Sequence, residues 1–284
     1  MNSLFKNPQK SLSFEVFPPK KEEDFPNAYE TLNQLSILSP DFISVTYGAG
    51  GSKSGKTIDI ASYIQNTLNI NALAHITCVG NKKTDIDSVV SQLLQNNIHN
   101  ILALRGDRPN YMSDEQFFSR DFTHAGEMIT YLKNNTQLHI AGACYPEKHY
   151  EASTLKEDLQ HLKEKVDCGA ECLISQLFFD NDVFYRFNEE LLKMNIEIPV
   201  LAGIMPITSS SQLGTTVSLS GSSVPKKLSD IIASYSESKE DMRKAGIEFA
   251  INQILDLKKH GINHIHIYSM NKPKTTTEIV NAIR

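Results

Sequence analysis

Six polar side chains stand near the ends of short apolar runs, and their spacing suits chemistry at one shared site. They are Glu15, Thr46, His75, Asp107, Tyr145 and Gln176, at intervals of 31, 29, 32, 38 and 31 residues. Each interval is about the length of one strand–helix unit. Carboxyl, imidazole, phenol and amide groups brought together can move protons and hold a polar ligand. Polar residues at the C-terminal ends of barrel strands usually form an active site, so the spacing predicts an enzyme.

Glu15 is the candidate general acid. It lies between Phe14 and the pair Val16-Phe17, and prolines 18–19 follow. Burial among apolar side chains disfavours the ionised carboxylate and would raise its pKa toward the range useful for proton donation. A structural glutamate paired with a neighbouring cation is the alternative.

The other candidates have comparable alternatives. Asp107 closes the segment LRGD, where Gly106 permits close approach of the backbone to a ligand; a surface pair of Arg105 and Asp107 is the alternative. His75 is either a hydrogen-bonded core residue or a ligand contact. Gln176 lies in an apolar run, and a buried amide needs hydrogen-bond partners, which a bound heterocycle or the backbone could supply.

Residues 50–57, GGSKSGKT, match the phosphate-loop pattern GxxxxGK[ST]. The segment also follows a strand pattern and precedes a helix pattern, as a nucleotide-binding loop would. A phosphate-loop NTPase needs a magnesium-binding carboxylate after an apolar strand, and Asp107 and Asp180 are the candidates. That interpretation leaves the other polar strand ends without roles. A Gly/Ser-rich loop whose lysine happens to precede a threonine is the competing interpretation.

The elements that must position these residues alternate regularly. Eight apolar runs predict strands at 13–19, 41–48, 72–79, 100–107, 139–146, 172–179, 198–206 and 264–270. Apolar residues at three- and four-residue spacing predict helices at 28–38, 58–68, 85–97 and 158–169. The alternation predicts an α/β fold, a single-domain (β/α)8 TIM barrel over residues 1–284, with a doubly wound open sheet as the alternative. The Ser/Thr/Gly-rich segment 207–225 predicts a mobile loop with short helices over the barrel mouth.

Composition narrows the class of protein. A hydrophobic content of 40% and a charged content of 21% are ordinary for a globular chain, and the net charge of −5 offers no basic footprint for nucleic acid. No apolar run approaches the ~18 residues of a membrane span, and the first ten residues lack a signal-peptide run. The four cysteines are therefore expected to be reduced thiols in the cytoplasm. Neither Cys168 with Cys172 nor His264 with His266 gives a metal-ligand set, so no metal site is predicted.

Seven motifs occur in order over nearly the whole chain. They are SFEVFPPK (13–20), SVTYGA (44–49), AHITC (74–78), LRGD (104–107), YPExH (145–149), SQLFFD (175–180) and GIMP (203–206). Each motif is short, but together they closely resemble the bacterial-type 5,10-methylenetetrahydrofolate reductases. The resemblance implies a catalytic barrel alone, without the C-terminal regulatory domain of the eukaryotic enzymes, and leaves a homo-oligomer open.

The resemblance implies an FAD enzyme with two half-reactions. A nicotinamide dinucleotide, NADH or NADPH, would reduce the flavin and leave. Methylenetetrahydrofolate would then take its place and become 5-methyltetrahydrofolate, which serves one-carbon metabolism and methionine synthesis. Glu15 would protonate the leaving nitrogen, and Asp107 would hold the pterin and favour a cationic intermediate.

The resemblance also assigns residues to ligands. Those expected to line FAD are Thr46, Tyr47, Ala49, His75, Leu104, Arg105, Gly106, Asp107, His124, Ala125, Tyr145, His149, Ala152, Asp158 and Lys165. Those expected to contact folate or nicotinamide are Glu15, Asp107, Gln176, Gln212 and Lys272. Ser209-x-x-Gln212 also fits a helix capping box, which is the alternative for Gln212. Lys272 stands where the family commonly has arginine, and lysine lacks the planar bidentate grip on a carboxylate.

Another flavin or pterin barrel enzyme is the nearest alternative function, and a non-catalytic binding or assembly module is a more distant one. The first would bind FAD without turning over methylenetetrahydrofolate. The second would bind no cofactor and would tolerate loss of the Glu15 carboxyl group.

Overall fold

The computed structural model describes residues 4–47, 54–108, 112–118 and 120–284. Eight strands form one closed, all-parallel barrel in sequence order. They are β1 (Ser11–Val16), β2 (Phe42–Val45), β3 (Asn71–Thr77), β4 (Asn100–Leu104), β5 (His139–Cys144), β6 (Cys172–Ser175), β7 (Val200–Ile204) and β8 (His264–Tyr268). The pairing of β1 with β8 closes the sheet, so the predicted TIM barrel is confirmed and the open-sheet alternative is wrong.

Helices follow the strands around the outside of the barrel. They are α1 (Phe25–Ser36), α2 (Ser54–Ser62), α3 (Lys83–Gln95), α4 (Asp114–Phe118), α5 (Ala125–Asn135), α6 (Leu155–Asp167), α7 (Asn181–Lys193), α8 (Ser210–Ser220), α9 (Lys226–Tyr235), α10 (Lys239–Lys259) and α11 (Pro273–Ile283). A 3-10 turn, Glu22–Asp24, precedes α1, and a π-helical turn, Tyr63–Thr67, follows α2. No helix in these described ranges is both long enough and apolar enough to cross a lipid bilayer.

Each predicted apolar run overlaps one strand of the barrel, and three of the four predicted helical segments fall on α1, α3 and α6 within a few residues. The segment 58–68 differs, because the α-helix ends at Ser62 and a π-helical turn completes it. Within the segment 207–225, predicted as a mobile loop with short helices, eleven residues form α8, which ends at Ser220 and is capped by Gly221 with a φ of +69°.

Alternation of side chains along the strands divides the core into two layers. One set, including Phe14, Ile43 and Ile267, packs outward against the helices. The other set points into the barrel, where Phe42 and Leu73 form part of an interior apolar cluster. Leu4 and Phe5 belong to the same cluster, and the Phe5 ring contacts Phe42 and His264, the first residues of their strands. The segment before β1 therefore closes the N-terminal end of the barrel, opposite the predicted site.

Candidate active site

Glu15 lies on the inner face of β1, in register with Ser44 on β2 and Tyr268 on β8. Its side chain is 12% exposed. Its Oε2 is 3.6 Å from Nε2 of His75 and 3.8 Å from Nε2 of His266. Within the described part of the chain it makes no ion pair with a lysine or arginine. The carboxyl group therefore faces two imidazoles at the C-terminal end of the barrel.

The two imidazoles are almost completely buried. Burial lowers the pKa of His75 to about 4, although the nearby Glu15 carboxylate acts in the opposite direction, so His75 is neutral at pH 7. Nδ1 of His266 is 2.7 Å from the Ser13 hydroxyl, which fixes the ring. Among the described residues, the Nε2 atoms of both histidines and the Ser44 hydroxyl have no hydrogen-bond partner. These atoms are available to a polar group of a ligand beside Glu15.

Tyr268 is a member of this site that the sequence analysis did not identify. Its hydroxyl donates to the Ser175 carbonyl at 2.7 Å, and burial, with a contribution from Glu15, raises its pKa well above the ordinary value. A Cβ on Gly203 would lie 2.3 Å from the Ser175 carbonyl oxygen, so a glycine lets β7 pass beneath this contact. The sequence feature that could have identified Tyr268 is its alternation with His264 and His266, because alternate residues of a strand lie on the same face.

A cavity of about 440 Å³ opens between the C-terminal ends of β4 and β5 and the helices α5 and α6. Nine of the residues predicted to line FAD line this cavity: Leu104, Arg105, His124, Ala125, Tyr145, His149, Ala152, Asp158 and Lys165. Other lining residues, including Glu151 and His161, were not identified from the sequence. They lie near Ala152 and Asp158 in the chain, but only the folded loop shows that they face the cavity.

The cations of the cavity already have partners. Both terminal nitrogens of Arg105 contact the Glu151 carboxylate, one at 2.9 Å, and hydrogen bonding from Arg105 lowers the pKa of Glu151 to about 2. The Lys165 ammonium donates to the Ala143 carbonyl at 2.6 Å, and burial lowers its pKa. The predicted Arg105–Asp107 surface pair is therefore replaced by an Arg105–Glu151 pair across the cavity mouth.

Helix α6 holds the cavity wall in place. The Thr154 hydroxyl caps its first turn by accepting from the Glu157 amide. Asp158 in that turn accepts from the His149 backbone amide at 3.0 Å, which ties the preceding loop to the helix. The His149 ring then contacts the Tyr145 ring edge to face, with centroids 4.7 Å apart, and burial lowers the pKa of His149.

The remaining predicted FAD residues lie around the same end of the barrel. Thr46 and Tyr47 follow β2, and His75 lies within β3. Gly106 has a φ of +84°, and a Cβ there would lie 2.9 Å from Cβ of Thr77, so the neighbouring strand requires the glycine. Asp107 is exposed after β4 and contributes to the raised pKa of Tyr145. Ala49 lies outside the described residues.

The phosphate-loop pattern falls partly outside the described residues as well. Its last two residues have other contacts: Lys56 donates to the Lys20 carbonyl at 2.6 Å, and the Thr57 hydroxyl donates to the Thr46 carbonyl at 3.0 Å. In a phosphate loop these two side chains would face phosphate and magnesium. In this structure both side chains, in the first turn of α2, contact backbone carbonyl groups instead.

A second cavity, of about 450 Å³, lies between helix α8, the residues that follow β6 and β7, and the residues just before α11. The predicted substrate residues Gln176, Gln212 and Lys272 all line it. Gln212 also has the helix-capping contacts of its alternative interpretation. Its side-chain Oε1 accepts from the Thr208 backbone amide at 3.0 Å, and its backbone amide donates to the Ser209 hydroxyl at 3.3 Å. Gln212 therefore both closes the start of α8 and presents its side chain to the cavity.

A carboxyl group held beside imidazoles, flanked by two clefts at the C-terminal ends of the strands, defines a barrel enzyme of the TIM type. The sequence profile of the family "Methylenetetrahydrofolate reductase" matches residues 1–284. The chain therefore belongs to the methylenetetrahydrofolate reductase family, as its motifs indicated.

Two named relatives agree with this assignment, and one solved structure shares the fold. "Methylenetetrahydrofolate reductase (NADH) 1" of Arabidopsis thaliana is 31% identical over 99% of this chain, which covers 49% of that protein. The chain thus spans about half the length of the plant relatives it matches. "5,10-methylenetetrahydrofolate reductase" of Buchnera aphidicola subsp. Schizaphis graminum is 32% identical over 92% of this chain and 87% of that protein. A Clostridium thermocellum protein that binds two copies of 5-methyl-5,6,7,8-tetrahydrofolic acid shares the fold, with a TM-score of 0.72, 14% identity and coverage of 99% of this chain and 96% of that one.

Proposed function

We propose that this chain reduces 5,10-methylenetetrahydrofolate to 5-methyltetrahydrofolate with FAD as its cofactor and NADH as its electron donor. The observation that carries the proposal is the position of Glu15, a carboxyl group beside two buried imidazoles at the end of the barrel where the two cavities lie. The two substrates would use one flavin face in turn, in a ping-pong reaction that serves one-carbon metabolism and methionine synthesis. Residues 1–284 would form the whole catalytic unit.

The cavity beside α5 and α6 fits FAD by its chemistry. Arg105, by exchanging its Glu151 partner for the ligand, and Lys165 would supply positive charge for a pyrophosphate, and Asp158 would supply a carboxylate for ribose hydroxyls. Ala125 and Ala152 leave room beside these groups, while Tyr145 and His149 offer ring surfaces. When bound there, FAD would supply the two-electron chemistry that no side chain of the protein can provide.

The protein's own groups would handle the protons and the charge. Glu15 would donate a proton to the leaving nitrogen of the substrate's five-membered ring, directly or through water, so that the ring opens to an iminium cation. Asp107 would hold the pterin and stabilise that cation through its negative charge. The adjacent neutral His75 would add no competing positive charge.

NADH rather than NADPH is proposed because plant relatives carry NADH in their names. Gln176, Gln212 and Lys272 would contact either substrate in the second cavity. The cytoplasmic location that the sequence predicts is part of the same proposal. All four cysteines are free thiols in the structure, the state that a reducing compartment maintains.

The visible spectrum of the purified protein tests the proposal, recorded without oxygen before and after NADH and then methylenetetrahydrofolate. We expect flavin bands that bleach with NADH and return with the folate. Bands that stay bleached would reject this substrate and leave another flavin enzyme. A colourless protein that FAD cannot reconstitute would reject the flavin proposal itself.

A further inference from the structure

Two of the proposed substrate residues, Lys272 and Gln212, are joined through Thr208, which was not among the predicted site residues. The Lys272 ammonium donates to the Thr208 hydroxyl at 3.0 Å. That hydroxyl donates in turn to Oε1 of Gln212 at 3.2 Å, and the Thr208 amide donates to the same oxygen at 3.0 Å. Lys272 precedes α11, whereas Gln212 is in α8, so this chain of hydrogen bonds links two separate elements at the barrel mouth.

Thr208 does not line the second cavity, whereas Lys272 and Gln212 do. It stands behind the cavity wall, and its backbone is anchored from the other side by α10. A Cβ on Gly246 would lie 1.7 Å from the Ile207 carbonyl oxygen and 3.6 Å from the Thr208 nitrogen, so α10 contacts this peptide directly. Ile207 itself is buried. The threonine is therefore a fixed point, and a β-branched side chain has few rotamers with which to move its hydroxyl.

A lysine side chain depends on such an anchored hydrogen-bond partner more than an arginine side chain does. Its ammonium is a compact charge on a flexible four-carbon stem, and it lacks the planar fork that orients arginine on a carboxylate. Lys272 is exposed, so packing confines its stem less than it would confine a buried side chain. The Thr208 hydroxyl accepts one ammonium N–H and leaves two for a ligand at the edge of the cavity.

We propose that Thr208, itself tied to Gln212, is a positioning residue that holds the Lys272 ammonium for the carboxylates of the folate's glutamyl tail. This inference rests on the proposed function and extends it to the recognition of the anionic end of the substrate. The Gln212 side-chain amide donates to the Pro206 carbonyl at 2.9 Å, so Thr208 acts on the substrate only through Lys272, and it takes no part in the electron or proton transfer.

The test is the steady-state KM of the FAD-loaded full chain for methylenetetrahydrofolate with Thr208→Val, which removes the hydroxyl at nearly constant volume. We expect KM to rise roughly three- to tenfold with kcat within about twofold, because a partly exposed charge contact is weakened rather than a buried one removed. Thr208→Ser keeps the hydroxyl and should restore the wild-type KM. Ser210→Ala, an exposed hydroxyl of the same segment, should leave both constants unchanged.

Two further comparisons separate positioning from a structural effect. A substrate whose two glutamyl carboxylates are converted to amides should show little change of KM in Thr208→Val. Lys272→Met should raise KM for the ordinary substrate, and adding Thr208→Val to it should have no further effect, because the hydroxyl acts through the ammonium.

A wild-type KM in Thr208→Val, or an equal rise for the amide substrate, would overturn this inference alone. Independent, multiplying effects of the Lys272 and Thr208 substitutions would overturn it as well. A wild-type protein that NADH reduces but the folate does not reoxidise would overturn the proposed function, and this inference with it.

Discussion

The proposed proton chemistry of the site involves one carboxyl group and the two imidazoles that face it. Glu15 and His75 were identifiable from the sequence because each interrupts an apolar run. Their closeness to His266 and Tyr268 was not, because it arises only when β8 returns to pair with β1 across more than 250 residues. Composition of a segment reveals a strand, whereas barrel closure decides which strand ends meet.

Glu15→Gln should separate the two half-reactions. The amide keeps the shape of the side chain but cannot donate a proton, so FAD binding and reduction by NADH should persist. Reoxidation by methylenetetrahydrofolate should slow by about 10²- to 10⁴-fold, the usual contribution of a general acid. Stopped-flow absorbance of each half-reaction measures both, with Glu248→Gln, an exposed glutamate of α10, as the control. Equal loss in the two half-reactions would show that Glu15 is structural.

His75→Gln should change how stability depends on pH. The pKa of His75 is about 4 in the folded protein and 6.5 ordinarily, so the unfolded chain binds a proton first as the pH falls. The contribution of the neutral histidine to the free energy of unfolding is fully present above pH 6.5. It decreases as the pH falls from 6.5 toward 4, and it does not change further below pH 4. Between pH 7 and pH 5 the wild-type should lose about 2 kcal/mol through this residue.

Urea unfolding of both proteins at these two pH values measures the difference. Burial also lowers the pKa values of His149 and His264. These two residues therefore make both the wild-type and the variant less stable as the pH falls. The quantity to compare is therefore the difference between the two pH slopes. Equal slopes in the wild-type and in His75→Gln would mean that His75 does not titrate as its burial indicates.

At the scale of elements, local patterns located the strands and most of the helices, but not the features that depend on neighbouring elements. The predicted helix 58–68 becomes π-helical at Tyr63, whose ring stacks on Tyr29 at 4.3 Å and whose hydroxyl donates to Asn33. Both partners are on α1, so no pattern within 58–68 could reveal the change. The Arg105–Glu151 pair is hidden for the same reason, because its two residues belong to different loops.

Two glycine-to-alanine substitutions should have opposite effects on the free energy of unfolding. At Gly246 in α10, the added methyl group would meet the Ile207 carbonyl oxygen, and we expect a loss of at least about 2 kcal/mol from overpacking. At Gly214 in α8, a Cβ has no neighbour within 4 Å. Alanine there should therefore stabilise by up to about 1 kcal/mol through its higher helix propensity.

Urea denaturation of the two variants measures both changes, and the pair serves as its own control for the effect of one methyl group. If Gly246→Ala folds, its KM for methylenetetrahydrofolate should also rise, because the displaced peptide carries Thr208. If Gly246→Ala were as stable as the wild-type, α10 could move away from Ile207 without loss of stability, and it would not anchor the peptide that leads into Thr208.

For the whole molecule, the residues of the candidate site and the apolar residues that close the barrel lie at opposite ends of the barrel axis. The C-terminal end carries Glu15, the cavities and the polar loops. The interior near the N-terminal end is apolar and is closed by Leu4 and Phe5, which pack in one cluster with Phe42 and Leu73. The Lys6 amide donates to the Asp41 carboxylate at 2.8 Å and holds this segment against the start of β2. Packing at this end therefore serves stability, whereas the residues of the candidate site lie at the opposite end.

Leu4→Ala should therefore weaken the fold without changing the site. Leu4 is completely buried, and truncating a buried leucine to alanine costs about 2–5 kcal/mol through lost burial and the cavity left behind. Leu192→Ala on α7 removes the same atoms from a side chain that is 66% exposed and should change stability by less than about 0.5 kcal/mol. Urea unfolding gives both values, and FAD titration of the folded variants should give the wild-type dissociation constant. A Leu4→Ala protein with normal stability would show that the barrel closes without its first residues, and one with weakened FAD binding would show that the two ends of the barrel are coupled.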